Sequence, residues 1–127
     1  MGSAQLLEGK RVLLVEDHYV VATEMAAMLR RFGAVVVGPF AELEPAMAAS
    51  VDCDLALLDV NLRGAAVFPL AGDLLDRDIP VGLVTGYETA VLPPRFRDLP
   101  RVEKPVELGP LGAILRRLVP ATAGDDS

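Results

Sequence analysis

Short apolar runs alternate along this chain with segments whose apolar residues recur every three or four positions. Arg11–Val15 (RVLLV) is continuous and apolar, without polar alternation, and predicts a strand buried on both faces. It stops abruptly at Glu16 and Asp17. Val21, Met25, Met28, Leu29 and Phe32 then repeat at helical spacing and predict an amphipathic helix of roughly four turns. Arg30 and Arg31 suit the negative end of its dipole, and Gly33 suits the position just past its end. Residues 34–37 (AVVV) predict a second strand, stopped by Gly38 and Pro39. Residues 42–50 predict a short Ala-rich helix, with Pro45 tolerable only in its first turn. Residues 55–58 (LALL) predict a third buried strand ending at Asp59. Residues 67–77 predict a helix with Leu70, Leu74 and Leu75 inward and Pro69 near its start. Residues 81–84 (VGLV) predict a fourth strand ending at Thr85 and Gly86, and Arg101–Glu103 a weak fifth ending at Lys104 and Pro105. Leu108, Leu111, Leu115 and Leu118 share one stripe of a last helix.

Five buried strands alternating with helices predict an α/β fold with a parallel sheet covered on both faces. Right-handed crossovers and the chain length favour a doubly wound, five-stranded sheet of order 2-1-3-4-5, a flavodoxin-like arrangement. One connection breaks the pattern. Between Gly86 and Arg101 lies YETAVLPPRFRDLP, with Pro93, Pro94 and Pro100. Consecutive prolines remove donors and clash with the preceding turn, so the fourth helix is expected to be shortened or irregular. Residues 1–9 are expected to form an N-terminal tail, 10–119 one domain, and 120–127 a small, polar, disordered C-terminal tail.

Composition narrows the functions. Hydrophobic residues make up 52% of 127, enough for a real core. The net charge of −6, with no basic run, is a poor match to nucleic acid, whose phosphates demand clustered Lys and Arg. No apolar stretch approaches the ~20 residues of a membrane span, and the first residues lack the apolar core of a signal peptide. Cys53 is the single cysteine, so no internal disulfide can form, which points to a reducing, cytoplasmic setting.

The candidate chemistry sits at strand ends. Glu16 and Asp17 follow the first strand, Asp59 the third, Thr85 the fourth and Lys104 the fifth. In an open α/β sheet the binding crevice lies outside the C-terminal ends, where the strand order reverses, here between strands one and three. Glu16, Asp17 and Asp59 should therefore converge. Three carboxylates repel one another unless a positive charge sits among them. An all-oxygen acidic set suits Mg²⁺, and Lys104 supplies a second cation. It is one of only two lysines against ten arginines, which hints that a compact ammonium is wanted there. A metal, an ammonium and a hydroxyl around a carboxylate nucleophile suit phosphoryl transfer through an acyl phosphate.

Four stretches in this order, residues 13–17 (LLVED), 55–62 (LALLDVNL), 83–86 (LVTG) and 102–105 (VEKP), resemble the receiver domain of two-component response regulators. The resemblance covers nearly all of the 10–119 domain. It implies that Asp59 is the phosphoacceptor, taking a phosphoryl group from a phosphohistidine of a histidine kinase or histidine phosphotransfer protein. It implies that Asp17 holds Mg²⁺ directly and Glu16 through water, with the main-chain carbonyl of Asn61 completing the metal site. Thr85 would bond one phosphoryl oxygen, Lys104 another, and Pro105 would follow a cis peptide bond. Output would be an altered surface read by a downstream protein, not by nucleic acid or membrane. Two features depart from the usual pattern. Many receivers carry an aromatic residue where this chain has Arg101, and the fourth helix is broken. With Thr85-Gly86-Tyr87, these features resemble the stand-alone FATGUY-type receivers, often paired with HWE-type kinases, although Leu83 and Val84 replace the usual Phe-Ala.

Plainer readings compete residue by residue. Glu16 and Asp17 suit a solvated strand end, Asp59 a helix N-cap and Thr85 a turn; all must hold together for the site to be an accident. His18 reads as an exposed first-turn residue rather than a ligand. Cys53, between Asp52 and Asp54, reads as inert. Met25, Met28 and Phe32 read as core. Tyr87 reads either, by family analogy, as a tuner of dephosphorylation or as a plain surface residue. Among other functions, a pseudo-receiver is disfavoured by the complete set of polar residues. A phosphatase of the haloacid dehalogenase type would place its nucleophile on the first strand with a second Asp two residues on, whereas Asp59 ends the third and is followed by Asn61. No phosphate-binding glycine loop occurs. A phosphate sink or shuttle, or a receiver excised from a hybrid kinase, fits the same residues.

Overall fold

The computed structural model describes residues 6–62, 65–86 and 92–119. Five strands form one parallel sheet: β1 (Arg11–Val15), β2 (Val35–Phe40), β3 (Leu55–Asp59), β4 (Val81–Thr85) and β5 (Arg101–Glu103). Their order is β2-β1-β3-β4-β5, the doubly wound arrangement expected from the sequence. Among the described residues four α-helices cover it: α1 (Tyr19–Arg31), α2 (Leu43–Ala49), α3 (Phe68–Asp76) and α4 (Leu108–Leu118). A short antiparallel ladder, Asn61–Leu62 with Ala65–Ala66, follows β3.

Strand alternation sorts the core into two layers. Val12, Leu14, Leu55, Leu57 and Val84 pack with Met25, Leu29 and Phe32 of the α1 side and Leu111, Ile114 and Leu115 of α4. Leu13, Val15, Ala56, Leu58 and Leu83 pack on the other face with Ala46 of α2 and Leu70, Ala71 and Leu74 of α3. Both faces of the central strands are thus apolar, which is why their sequences do not alternate. At Gly82 in β4, a Cβ would stand 2.9 Å from side-chain carbons of both Leu118 and Leu57. Glycine there lets α4 settle onto the sheet.

Two boundaries differ from expectation. β2 runs through Gly38 and Pro39 to Phe40 instead of stopping at residue 37. It is an edge strand, where a proline is tolerated because one side of the backbone has no neighbouring strand. Gly38 takes φ +110°, the Gly38–Pro39 peptide is cis, and a register shift between Leu13 and Val15 brings Phe40 back opposite Val15. At the start, the segment expected to be a tail is anchored from its sixth residue on. Leu7 is fully buried, its N–H donates to the Phe32 carbonyl at 2.8 Å, and the Gly9 N–H reaches Gly33 at 3.2 Å.

Among the described residues between β4 and β5, the helical content is a single 3-10 turn, Pro94–Phe96. Residues 87–91, and the C-terminal tail expected over 120–127, lie outside the described residues. No helix among the described residues is long and apolar enough to cross a membrane.

Candidate functional site

β1 and β3 lie side by side, and the chain leaves them for opposite faces of the sheet, toward α1 and α3. Their C-terminal ends therefore frame a crevice. Glu16 is fixed there by its own backbone, whose N–H donates to the Phe40 carbonyl at 2.9 Å. Its residue exposure is 2%. Oε2 accepts the His18 N–H at 3.0 Å and the Lys104 ammonium at 3.1 Å. Oε1 is buried and finds no hydrogen-bond partner among the described residues.

Asp59, the last residue of β3, is 1% exposed. The Asn61 N–H donates to its Oδ1 at 3.0 Å, and Lys104 Nζ lies 3.2 Å from Oδ2. The carboxylate is held at both oxygens, one by a backbone donor two residues on and one by a charge from the far end of the sheet. Asp17 is half-buried beside them. One carboxylate oxygen from each of Glu16, Asp17 and Asp59 lies within 4.8 Å of the others. Thr85, buried at the end of β4, lies one strand over, and its carbonyl accepts the Lys104 N–H at 2.8 Å. That bond places the start of the lysine side chain over the crevice.

The electrostatics follow from burial and crowding. Burial is the largest influence on Glu16 and, with the neighbouring Asp59 charge, raises its pKa to about 7 against the pull of the His18 N–H and Lys104. Burial alone would lower the Lys104 pKa, but the bond to Glu16 and the charges of Asp59 and Glu16 outweigh it and raise it. Three carboxylates face one ammonium, all donors are oxygen, and one buried oxygen is unsatisfied. This set fits a small, hard divalent cation such as Mg²⁺.

The structure thus brings Glu16, Asp17, Asp59 and Lys104 together and sets Thr85 beside them. Asn61 is exposed and meets Asp59 through its N–H. His18 is exposed and contributes its backbone N–H to Glu16. Tyr87 lies outside the described residues. Cys53 is half-buried with its thiol on the Ser50 carbonyl at 3.5 Å; burial pushes its pKa up first, and Asp54 and Asp52 add to this against Arg77. Sequence reasoning missed the Lys104–Glu16 contact. Its one available signal is the length of Glu16, which reaches further than an aspartate in the same place.

No protein-family model and no curated protein matches the sequence. Solved structures do. The solution structure of SdrG from Sphingomonas melonis Fr1 is 34% identical, with a TM-score of 0.79 over 87% of this chain and 96% of that one. The BeF3-activated conformation of SdrG, from Pseudomonas melonis Fr1, is also 34% identical, with a TM-score of 0.73 over 92% and 99%. The receiver domain of the sensor histidine kinase PA1611 from Pseudomonas aeruginosa PAO1, which has a magnesium ion coordinated in its active-site cleft, is 25% identical. Its TM-score is 0.68 over 87% and 97%.

Proposed function

We propose that this chain, which belongs to the response-regulator receiver family, accepts a phosphoryl group on Asp59 from a phosphohistidine of a partner kinase or phosphotransfer protein. The observation that carries the reading is the Asp59 carboxylate itself. It is buried at the switch point, held by the Asn61 N–H and Lys104, with Glu16 and Asp17 alongside. In the reaction an Asp59 oxygen forms a bond to phosphorus as the bond to the donor's imidazole nitrogen breaks, leaving an acyl phosphate on the protein.

The chain's own residues divide the work. The Asn61 N–H fixes the rotation of the Asp59 carboxylate. Lys104, already on Asp59, neutralises charge on the transferred group. The Thr85 hydroxyl, at the neighbouring strand end, bonds a phosphoryl oxygen after transfer. Glu16, Asp17, Asp59 and the Asn61 carbonyl would hold Mg²⁺, which supplies charge neutralisation at the equatorial oxygens. SdrG has a BeF3-activated conformation and the PA1611 domain coordinates magnesium, and both support carrying this chemistry over.

The output is a changed protein-binding surface, and the chain turns over no separate substrate. We place it with the stand-alone FATGUY-type receivers on Thr85-Gly86, the absence of an α-helix in the described residues 92–100, and Arg101 at the usual aromatic position. The same placement favours an HWE-type histidine kinase as partner, with this chain acting in the cytoplasm.

Intact-mass measurement after incubation with acetyl phosphate and Mg²⁺ tests the assignment. Wild type should gain one phosphoryl group and lose the gain in EDTA. Asp59→Asn should gain none. A full gain on Asp59→Asn, or none on wild type from acetyl phosphate and from a cognate kinase alike, overturns it.

A further inference from the structure

Lys104 does more in this arrangement than face Asp59. Its ammonium lies 3.1 Å from Glu16 Oε2 and 3.2 Å from Asp59 Oδ2, so it bridges the two most buried carboxylates of the crevice. The Glu16 side chain is 0% exposed and that of Asp59 2%, whereas Lys104 keeps 25% exposure and a route outward. The second Glu16 oxygen is buried without a partner among the described residues. A cation already stands between two of the three carboxylates that a metal would use, and it holds Glu16 in one orientation.

We infer that the Lys104–Glu16 ion pair is a latch on the metal site: the ammonium and a divalent cation compete for Glu16, and loading the metal releases Lys104 from Glu16. The inference rests on the phosphoacceptor reading and adds to it a built-in competitor. Charge accounting supports exchange of partners over expulsion of the lysine. Three carboxylates are balanced by one ammonium and one divalent cation together, so Lys104 stays in the crevice while Glu16 changes hands. Lys104 is then left with Asp59 alone, where a phosphoryl group arrives. The latch depends on side-chain length. An aspartate at position 16 would be shorter by one methylene, about 1.5 Å, enough to break a 3.1 Å contact.

Competition is reciprocal, so Lys104 must weaken the metal as much as the metal weakens the latch. Calorimetric Mg²⁺ titration of wild type, Lys104→Met, Glu16→Asp and the double variant tests this. Lys104→Met should tighten Mg²⁺ about tenfold on wild type but less than about threefold in the Glu16→Asp background, because there the latch is already open. An equal gain in both backgrounds means that Lys104 acts only as a distant charge, and no gain on wild type means that it does not compete; either overturns the latch. The unaltered protein offers a second reading. With only Lys10 and Lys104 in the chain, ¹³C-lysine labelling resolves both side chains. The Lys104 Cε signal should move in step with Mg²⁺ binding while Lys10 stays still. An unmoved Lys104 signal in protein that binds Mg²⁺ overturns the latch without touching the phosphoacceptor reading. Failure of all four proteins to bind Mg²⁺, with no Mg²⁺-dependent mass gain at Asp59, overturns both.

Discussion

Glu16 is a buried carboxylate whose neighbours include another acid, and its ionisation opposes folding in the absence of metal. Its folded pKa of about 7 stands above its ordinary 4.5. A group raised in this way contributes stability that is complete below the lower value and is lost as pH rises through the upper one. Lys104 is raised above its ordinary 10.5, so its contribution persists across the same range and fades only in strong alkali. Metal-free protein should therefore lose stability, on the order of 1–3 kcal/mol, between about pH 5 and pH 8. Denaturant melts in EDTA should show the slope, and Glu16→Gln should flatten it. Mg²⁺ should restore stability at the alkaline end, since a cation favours the ionised carboxylate. A slope unchanged in Glu16→Gln would assign the effect to another group. At this scale the sequence was informative about identity and weak about contact. Strand ends located Glu16, Asp59, Thr85 and Lys104. Which oxygen meets which donor depends on side-chain reach across 88 residues of separation, and no local pattern encodes that.

At the scale of elements, apolar runs read well where both faces are buried and poorly where the chain meets an edge. β1, β3 and β4 fell where continuous hydrophobicity put them. β2 outran its proline because an edge strand has no ladder bond to lose on its outer side. In the stretch before β5, the described residues 92–100 hold a single 3-10 turn and no α-helix, yet they are well packed. Leu92 and Phe96 are buried, the Phe96 ring stacks on Phe68 of α3 at 5.1 Å, and Arg95 pairs with Asp76 of the same helix. Arg97 reaches the Leu92 carbonyl at 3.1 Å, and Arg101 the Arg97 carbonyl at 2.6 Å. Side-chain anchoring replaces the missing helical bonds. Phe96→Ala should cost about 3 kcal/mol by emptying its site and losing the stack. Arg95→Ala, removing a pair whose side chains are 51% and 67% exposed, should cost less than about 1 kcal/mol. Equal costs in chemical melts would mean that the ion pair holds the segment as much as the ring does. Gly82→Ala tests the other face. It should destabilise by about 1–3 kcal/mol, because Leu57 and Leu118 must both move.

Across the whole molecule, these anchors decide where a phosphoryl group on Asp59 can be felt. The event begins locally. On the proposed function, a phosphoryl oxygen on Asp59 would draw the Thr85 hydroxyl inward, and Gly86, with nothing within 4 Å of a would-be Cβ, would let the backbone follow. In receivers with an aromatic on the last strand, a ring fills the vacated space. Arg101 is a poor substitute, since burying its charge away from the Arg97 carbonyl is costly. On this model the displacement is instead expected to reach residues 92–100. Because Phe96 and Arg95 tie that stretch to Phe68 and Asp76, it cannot shift without α3. Segment and helix should respond as one two-state element, a coupling with a physical basis in named contacts. Amide exchange with and without beryllofluoride should show protection changing together in residues 92–100 and in α3, while β1, β3 and α1 stay constant. Phe96→Ala should separate the two, leaving a response near Gly86 and abolishing it in α3. Changes confined to the β5–α4 side would place the output on the other face of the sheet and end this model of transmission, with Asp59 still free to be the acceptor.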